Sequence, residues 1–226
     1  PEGYGERRYL NDDVYIGRFR EGLPHGQGTY RYKSDPKLTR YVGVWQNGKR
    51  NGYGSLYLAD GSVFVGQWSA NVMVHGEFRG VDGTLLSGTW RGDSLERGKM
   101  GQVDGSIFTG IFDSEGRYLA GSLHAPNGDH FVGSFLNGIY EGSGSLVKGD
   151  GTTYVGAFKA GLYSGEGILE DSEGRRYIGS FLQGNPSGEG QQVVSTGVVY
   201  SGDWKDGFYA DRWQFVAEAI NGLDQL

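Results

Sequence analysis

The sequence predicts an all-β fold built as a stack of β-hairpin repeats, and three observations lead there. The first is a period. A large residue, a glycine two positions on and an aromatic two further on recur nine times, at intervals of 22 to 26 residues. The first position is Tyr15, Tyr41, Phe64, Leu86, Phe108, Phe131, Tyr154, Tyr177 and Tyr200. A period this regular means stacked copies of one supersecondary unit, not one domain around one core. The second observation is the placing of glycine. The chain holds 43 glycines in 226 residues, a content that without a period would suggest low complexity. Here many sit in Asn-Gly or Asp-Gly pairs, such as Asn47-Gly48, Asp60-Gly61, Asp82-Gly83 and Asn127-Gly128. These pairs tolerate positive φ and mark hairpin turns. The third is alternation. In Tyr41-Val-Gly43-Val-Trp45 the tyrosine, glycine and tryptophan share one strand face. In the strand that follows, Gly52, Gly54 and Leu56 share a face in the same way.

Each repeat is therefore two short antiparallel strands and two turns, and the chain can be read in order. Residues 1–14 supply the second strand of a repeat whose first strand is missing, because Gly3-Tyr-Gly5 matches the paired glycines. The chain is thus expected to be a fragment of a longer protein. Residues 15–209 are the repeat array. Within it lie three apolar columns: the first positions named above; the second aromatics (Phe19, Trp45, Trp68, Trp90, Phe112 and their successors to Trp204); and a third column through Tyr30, Leu56, Phe78 and Met100. Glycine beside these columns leaves room for a neighbouring ring to lie across the backbone. Repeats three to five are worn. The strand-closing glycine becomes Asn71, Asp93 and Glu115, and the first of the paired glycines becomes Val74, Glu96 and Leu119. Bulkier residues there should change the local curvature, by drift or as a bend or binding zone. Residues 210–226 leave the pattern. Asp211 could cap a short C-terminal α-helix carrying Trp213, Val216, Ala217 and Ile220 on one stripe, ended by Asn221-Gly222. That helix would either cap the last sheet edge or dock another protein.

With these residues in hand, the chain resembles the MORN (membrane occupation and recognition nexus) repeat family. The best copies are Tyr41-Val-Gly43-Val-Trp45-Gln-Asn-Gly48, Tyr154-Val-Gly156-Ala-Phe158-Lys-Ala-Gly161 and Tyr177-Ile-Gly179-Ser-Phe181-Leu-Gln-Gly184. The resemblance covers about residues 3–208 and implies an elongated, single-layer, twisted antiparallel sheet of about nine hairpins, forming a rod or trough. At about 4.8 Å per strand, some eighteen strands would extend on the order of 85 Å. It also implies a noncatalytic scaffold for protein–protein interaction that organises cytoskeletal or membrane-associated assemblies. The alternative it implies is a targeting or regulatory module of a larger enzyme of the lipid kinase, methyltransferase or exchange factor type.

Composition narrows the partners. The chain has no cysteine, which excludes disulfides and cysteine-based zinc sites. No apolar run reaches the length of a membrane span, and a cytoplasmic setting fits, at the cytoskeleton or peripheral to a membrane. The net charge of −6 hides an asymmetry. Residues 1–50 carry ten Lys/Arg against six Asp/Glu; residues 51–226 carry eleven against twenty-one. Arg18, Arg20, Arg31, Lys33 and Arg40 fall on strand positions opposite the aromatic columns. They read either as a solvated face or as a basic patch for an acidic protein or anionic lipid. Lipid contact is expected to be weak and confined to that patch. The acidic balance argues against nucleic acid, although tyrosines interleave with the charges.

No catalytic constellation emerges. His25 and His75 sit in turns before repeat glycines, and His124 and His130 flank a hairpin turn without convincing ligand spacing. The Gly-x-Gly pairs precede strands, not helix starts, so they do not read as phosphate loops. No enzyme, cofactor or metal is expected. The candidate partner-binding residues are Tyr41, Trp45, Phe64, Trp68, Trp90, Phe108 and Phe112, which read equally as lining a groove for a partner helix or extended segment or as rings that hold the single-layer sheet together. A homodimer is left open.

Overall fold

The computed structural model describes residues 2–210. The C-terminal helix expected within residues 210–226 lies outside the described residues. The described part is all β. It divides into two units, Pro1–Arg117 and a second that begins at Tyr118.

In the first unit ten strands follow one another: β1 (Gly3–Arg8), β2 (Val14–Arg20), β3 (Leu23–Arg31), β4 (Leu38–Gln46), β5 (Lys49–Leu58), β6 (Val63–Ser69), β7 (Val72–Arg79), β8 (Leu85–Arg91), β9 (Ser94–Gly101) and β10 (Ile107–Phe112). Each pairs antiparallel with its successor. In the second unit β11 (Tyr118–His124), β12 (His130–Leu136), β13 (Ile139–Val147), β14 (Thr153–Lys159), β15 (Leu162–Glu170), β16 (Arg176–Leu182), β17 (Asn185–Val193), β18 (Val199–Lys205) and β19 (Phe208–Tyr209) do the same.

Register places the three columns on one face. Tyr15 stands opposite Tyr30, Tyr30 opposite Tyr41, and Tyr41 opposite Leu56, while Gly17, Gly28, Gly43 and Gly54 form a parallel row. Tyr15, Tyr41, Tyr154 and Tyr177 each lie across the glycines beside them. A Cβ on Gly43 would sit 2.7 Å from the Tyr41 hydroxyl and 2.5 Å from the Gly54 Cα. The glycines therefore offset their poor strand propensity by admitting a ring onto the backbone. The core is this ring layer: Tyr15, Tyr41, Phe108, Phe131 and Tyr154 are fully buried. Rings meet edge to face, as with Tyr41 and Trp68 at 5.5 Å and 84°.

The turns that close the first strand of regular repeats have two successive residues at positive φ, such as Asn47 at 51° and Gly48 at 77°. That is the primed hairpin geometry that Asn-Gly favours. The fourth repeat differs: Gly92 at 64° takes the first turn position, and Asp93 is not left-handed.

The worn repeats have a physical explanation. In regular repeats a bulge follows the signature glycine. Between the Gly17–Gly28 and Phe19–Pro24 pairs, β2 has one residue and β3 has three. Gly26, in that insertion, has φ 65°. In the third repeat the bulge shrinks to the single residue Val74, between the Gln67–His75 and Trp68–Met73 pairs. In the fourth it shrinks to Glu96, between Thr89–Arg97 and Trp90–Leu95. Neither Val74 nor Glu96 is left-handed, so the shorter bulge removes the need for glycine.

Candidate interaction surfaces

All seven predicted partner-binding residues of the first unit lie on the ring face. Trp45, Trp68 and Trp90 form one column, and each indole donates backward to a glycine carbonyl. Trp45 Nε1 reaches Gly28 at 3.4 Å, Trp68 Nε1 reaches Gly54 at 3.1 Å, and Trp90 Nε1 reaches Gly76 at 3.1 Å. Tyr41 lies between Trp45 and Trp68, its hydroxyl donating to the Val44 carbonyl at 3.4 Å. Burial pushes the Tyr41 phenol up to about 12, against the pull of Arg50. Arg50 lies over the Trp68 ring at 4.5 Å. These contacts consume the rings. Tyr41 and Phe108 are fully buried, and Trp45, Trp68, Trp90 and Phe112 retain 4 to 6% exposure. Phe64 is half-buried, between Phe78 at 4.6 Å and Trp90 at 5.4 Å.

Sequence reading missed a fourth column on this face. The residue five places after the second aromatic pairs back with it: Pro24 with Phe19, Arg50 with Trp45, Met73 with Trp68, Leu95 with Trp90, Tyr140 with Phe135 and Tyr163 with Phe158. Its signal was the large or cyclic residue two places after the second turn position, which is glycine in the regular repeats and Asn71 and Asp93 in the third and fourth. Met73 also explains how Phe64 is tolerated. The Met73 methyl is the atom nearest a Cβ built on Gly76, a role that tyrosine hydroxyls play at Gly28, Gly54, Gly167 and Gly190.

A second missed signal is the short polar residue two places before the signature. Among the described residues the buried polar side chains are Asp13, Ser62 and Ser106, each at that position. Asp13 ties the next repeat's loop to its own. It accepts from the Lys33 and Ser34 backbone N–H groups at 2.6 and 3.0 Å and from the Tyr30 hydroxyl at 2.9 Å. Ser62 accepts from the Val81 N–H at 3.3 Å, and Asp129 from the Gly149 N–H at 2.9 Å. Burial pushes the Asp13 carboxyl up, but the Lys33 and Ser34 N–H groups and the two hydroxyls outweigh it and hold it at about 2. A depressed carboxylate pKa adds stability above the unfolded value near 4, and that stability is lost as pH falls toward 2. Asp13→Ala is therefore expected to cost about 2–3 kcal/mol at pH 7 by leaving charge-assisted donors unpaired. Urea melts at pH 7, 4 and 2.5 should show that difference shrinking at the lowest pH.

On the opposite face of the first unit stand Arg18, Arg31 and Arg40, exposed, with Arg20 beside the turn. Lys33 is not on a strand. β3 ends at Arg31 because the loop is drawn to Asp13, and Lys33 belongs to that loop. Arg40 lies over the Tyr57 ring at 4.2 Å. Two adjoining hollows of 520 and 430 Å³ also open there, lined by Tyr53, Gln67, His75, Arg79, Leu85 and Lys99 among others.

In the second unit His124 and His130 stack at 3.9 Å across β11 and β12, with Ser122 Oγ 2.8 Å from His130 Nε2. This group lies on an open strand face. Among the described residues, no cluster of three or more His, Cys, Asp or Glu could hold a metal ion.

The MORN repeat family model matches residues 15–35, 41–63, 64–85, 131–153, 154–174, 177–197 and 200–209, together more than half the chain. The chain belongs to the MORN repeat family. The matched segments open at the ring-over-glycine signatures. The MORN model leaves residues 86–130 unmatched, where Leu86 and Phe108 open the fourth and fifth repeats. Alsin from Rattus norvegicus is 42% identical over 78 residues, which are 34% of this chain and 5% of Alsin. MORN repeat-containing protein 3 from Xenopus laevis is 34% identical over 73 residues, 30% of this chain and 29% of that protein. The matches thus span only a small part of those relatives. Among solved structures, the SAS-4 TCP domain of Drosophila melanogaster, in complex with a proline-rich motif of Ana2, aligns with a TM-score of 0.45 and 11% identity. It covers 68% of this chain and 84% of that one. MORN repeats are noncatalytic interaction modules, and no catalytic family is indicated.

Proposed function

We propose that this chain is a noncatalytic scaffold that holds a partner protein, as a helix or extended segment, along its ring face. It would thereby help to organise a cytoskeletal or membrane-associated assembly. The observation that carries the reading is the gathering of Tyr41, Trp45, Phe64, Trp68, Trp90, Phe108 and Phe112 on one face of the first unit. Phe64, half-buried, has ring area left to give to a partner. The Phe78 ring and the buried Trp90 ring flank it and hold it in place.

A second reading makes the array a targeting or regulatory module of a larger enzyme. It is favoured by the match to rat Alsin, where the aligned repeats are 5% of a much longer chain.

The test begins by capturing a protein on the immobilised chain and identifying it by mass spectrometry. Its affinity is then measured for wild type and Phe64→Ala, alongside thermal melts. A tenfold or larger loss at an unchanged melt supports the ring face. Unchanged affinity in folded Phe64→Ala, with the same result at Trp45 and Trp90, removes it.

A further inference from the structure

Charge in the first unit is segregated by position. Of the fifteen Lys and Arg in residues 1–117, twelve lie on strands, whereas eleven of the fourteen Asp and Glu lie off them. Arg7 and Arg50 reach over rings, at Phe19 and Trp68. The others alternate onto the opposite face, among them Arg18, Arg31, Arg40, Arg79, Arg97 and Lys99. The strand anions are Glu6, Glu77 and Glu96, and the last two pair with Arg79 and Arg91. The result is a basic sheet face bordered by acidic turns such as Asp60, Asp82 and Asp104.

Arg31 and Arg40 stand directly opposite each other. Neither has an ion pair among the described residues. Like charges paired across strands destabilise a sheet, so the unliganded face carries a repulsion that an anionic ligand would relieve. The floor between the charges is partly apolar. Val42 is 40% exposed, Leu85 54% and Ile107 36%. The two hollows lie along the same face, over β5 to β10.

We infer that this face of the first unit is a docking surface for an extended, acidic protein segment with apolar residues at alternate positions. It is a second surface, and it rests on the proposed function only in that both require a protein partner. Charge complementarity chooses the sign of the ligand. Register sets its path: Arg31, Arg40, Arg79, Leu85 and Ile107 fall on one row from β3 to β10, which a single strand can follow, whereas an anionic membrane plane would also meet the Asp60, Asp82 and Asp104 rim beside it. Crossing from β3 to β10 takes seven strand spacings of about 4.8 Å, roughly 34 Å, the length of about ten extended residues. The apolar floor takes the alternate side chains.

The test uses a fluorescein-labelled twelve-residue peptide alternating Glu and Leu, followed by fluorescence anisotropy with the full chain. A Lys-Leu peptide, a single-stranded oligonucleotide and phosphatidylserine vesicles are run in parallel. The comparison protein is Arg31→Glu/Arg40→Glu/Arg79→Glu/Lys99→Glu, with its melt recorded. Expected is saturable binding of the Glu-Leu peptide, at least tenfold weaker in the folded variant and weakened by 0.5 M salt. A milder Arg31→Gln/Arg40→Gln variant should lose affinity in the same direction and serves if the fourfold change unfolds. Equal binding of the Lys-Leu peptide, or Glu-Leu affinity unchanged in folded variants, overturns the inference. So does equal or stronger capture by the oligonucleotide or the vesicles that the same substitutions abolish. Loss of peptide binding in the variant while the Phe64-dependent partner still binds wild type and variant alike supports this surface. No peptide binding to wild type, with that partner still captured, overturns this surface and leaves the ring-face reading standing.

Discussion

Trp68→Ala is expected to lower stability by about 3–5 kcal/mol, the range for emptying a buried aromatic site. The indole is 5% exposed, donates to the Gly54 carbonyl at 3.1 Å, packs edge-on to Tyr41 and lies under the Arg50 guanidinium. Its removal uncovers Tyr41 and leaves Arg50 only the more distant Tyr41 ring, at 5.7 Å. Denaturant melts followed by tryptophan fluorescence should show a lowered midpoint. The expected order is Trp68→Ala well below Phe64→Ala, since Phe64 is only half-buried. A Trp68→Ala melt equal to wild type would mean that the ring layer does not hold the sheet.

Gly43→Ala is the second large effect. The added Cβ would lie 2.5 Å from the Gly54 Cα and 2.7 Å from the Tyr53 carbonyl oxygen, both backbone, and 2.7 Å from the Tyr41 hydroxyl. Neither β4 nor β5 can step aside without breaking the ladder, and moving Tyr41 opens the core. A loss of at least about 2–3 kcal/mol is expected. Gly5→Ala is the control. Its Cβ would meet only Phe19, at 3.8 Å, and the substitution also stiffens the unfolded chain. It should be neutral or slightly stabilising. Equal melts for the two variants would refute the role given to close glycine–tyrosine packing.

The hairpins and three of the columns were legible because alternation and turn chemistry act within one repeat. Tyr41, Gly43 and Trp45 declare a shared face by spacing alone. The fourth column was harder to see because the shorter bulges break the alternation: Met73 and Leu95 lie three residues before Gly76 and Gly98, so counting back in steps of two lands on Val74 and Glu96 instead. Asp13 was passed over because an Asp before a strand looks like turn chemistry, and its partners Lys33 and Ser34 lie a repeat away. The basic patch was seen only at Arg18, Arg20, Arg31, Lys33 and Arg40. The net charge of later segments conceals that their acids lie in turns and their bases on strands. As for the rings, sequence shows that they share a face but not how much of each is already covered by its neighbours.

The reach of each signature ring bears on how the chain folds. Tyr15 covers Gly28, and Trp45 bonds back to the Gly28 carbonyl. Every strand pair described joins neighbours in sequence, and no long connection has to close before a contact forms. Loop-closure entropy is thus met in small steps, and the array has an unusually low contact order for an all-β protein. Refolding should be fast for this fold class, and a repeat should consolidate on the ribosome soon after its successor's first strand emerges.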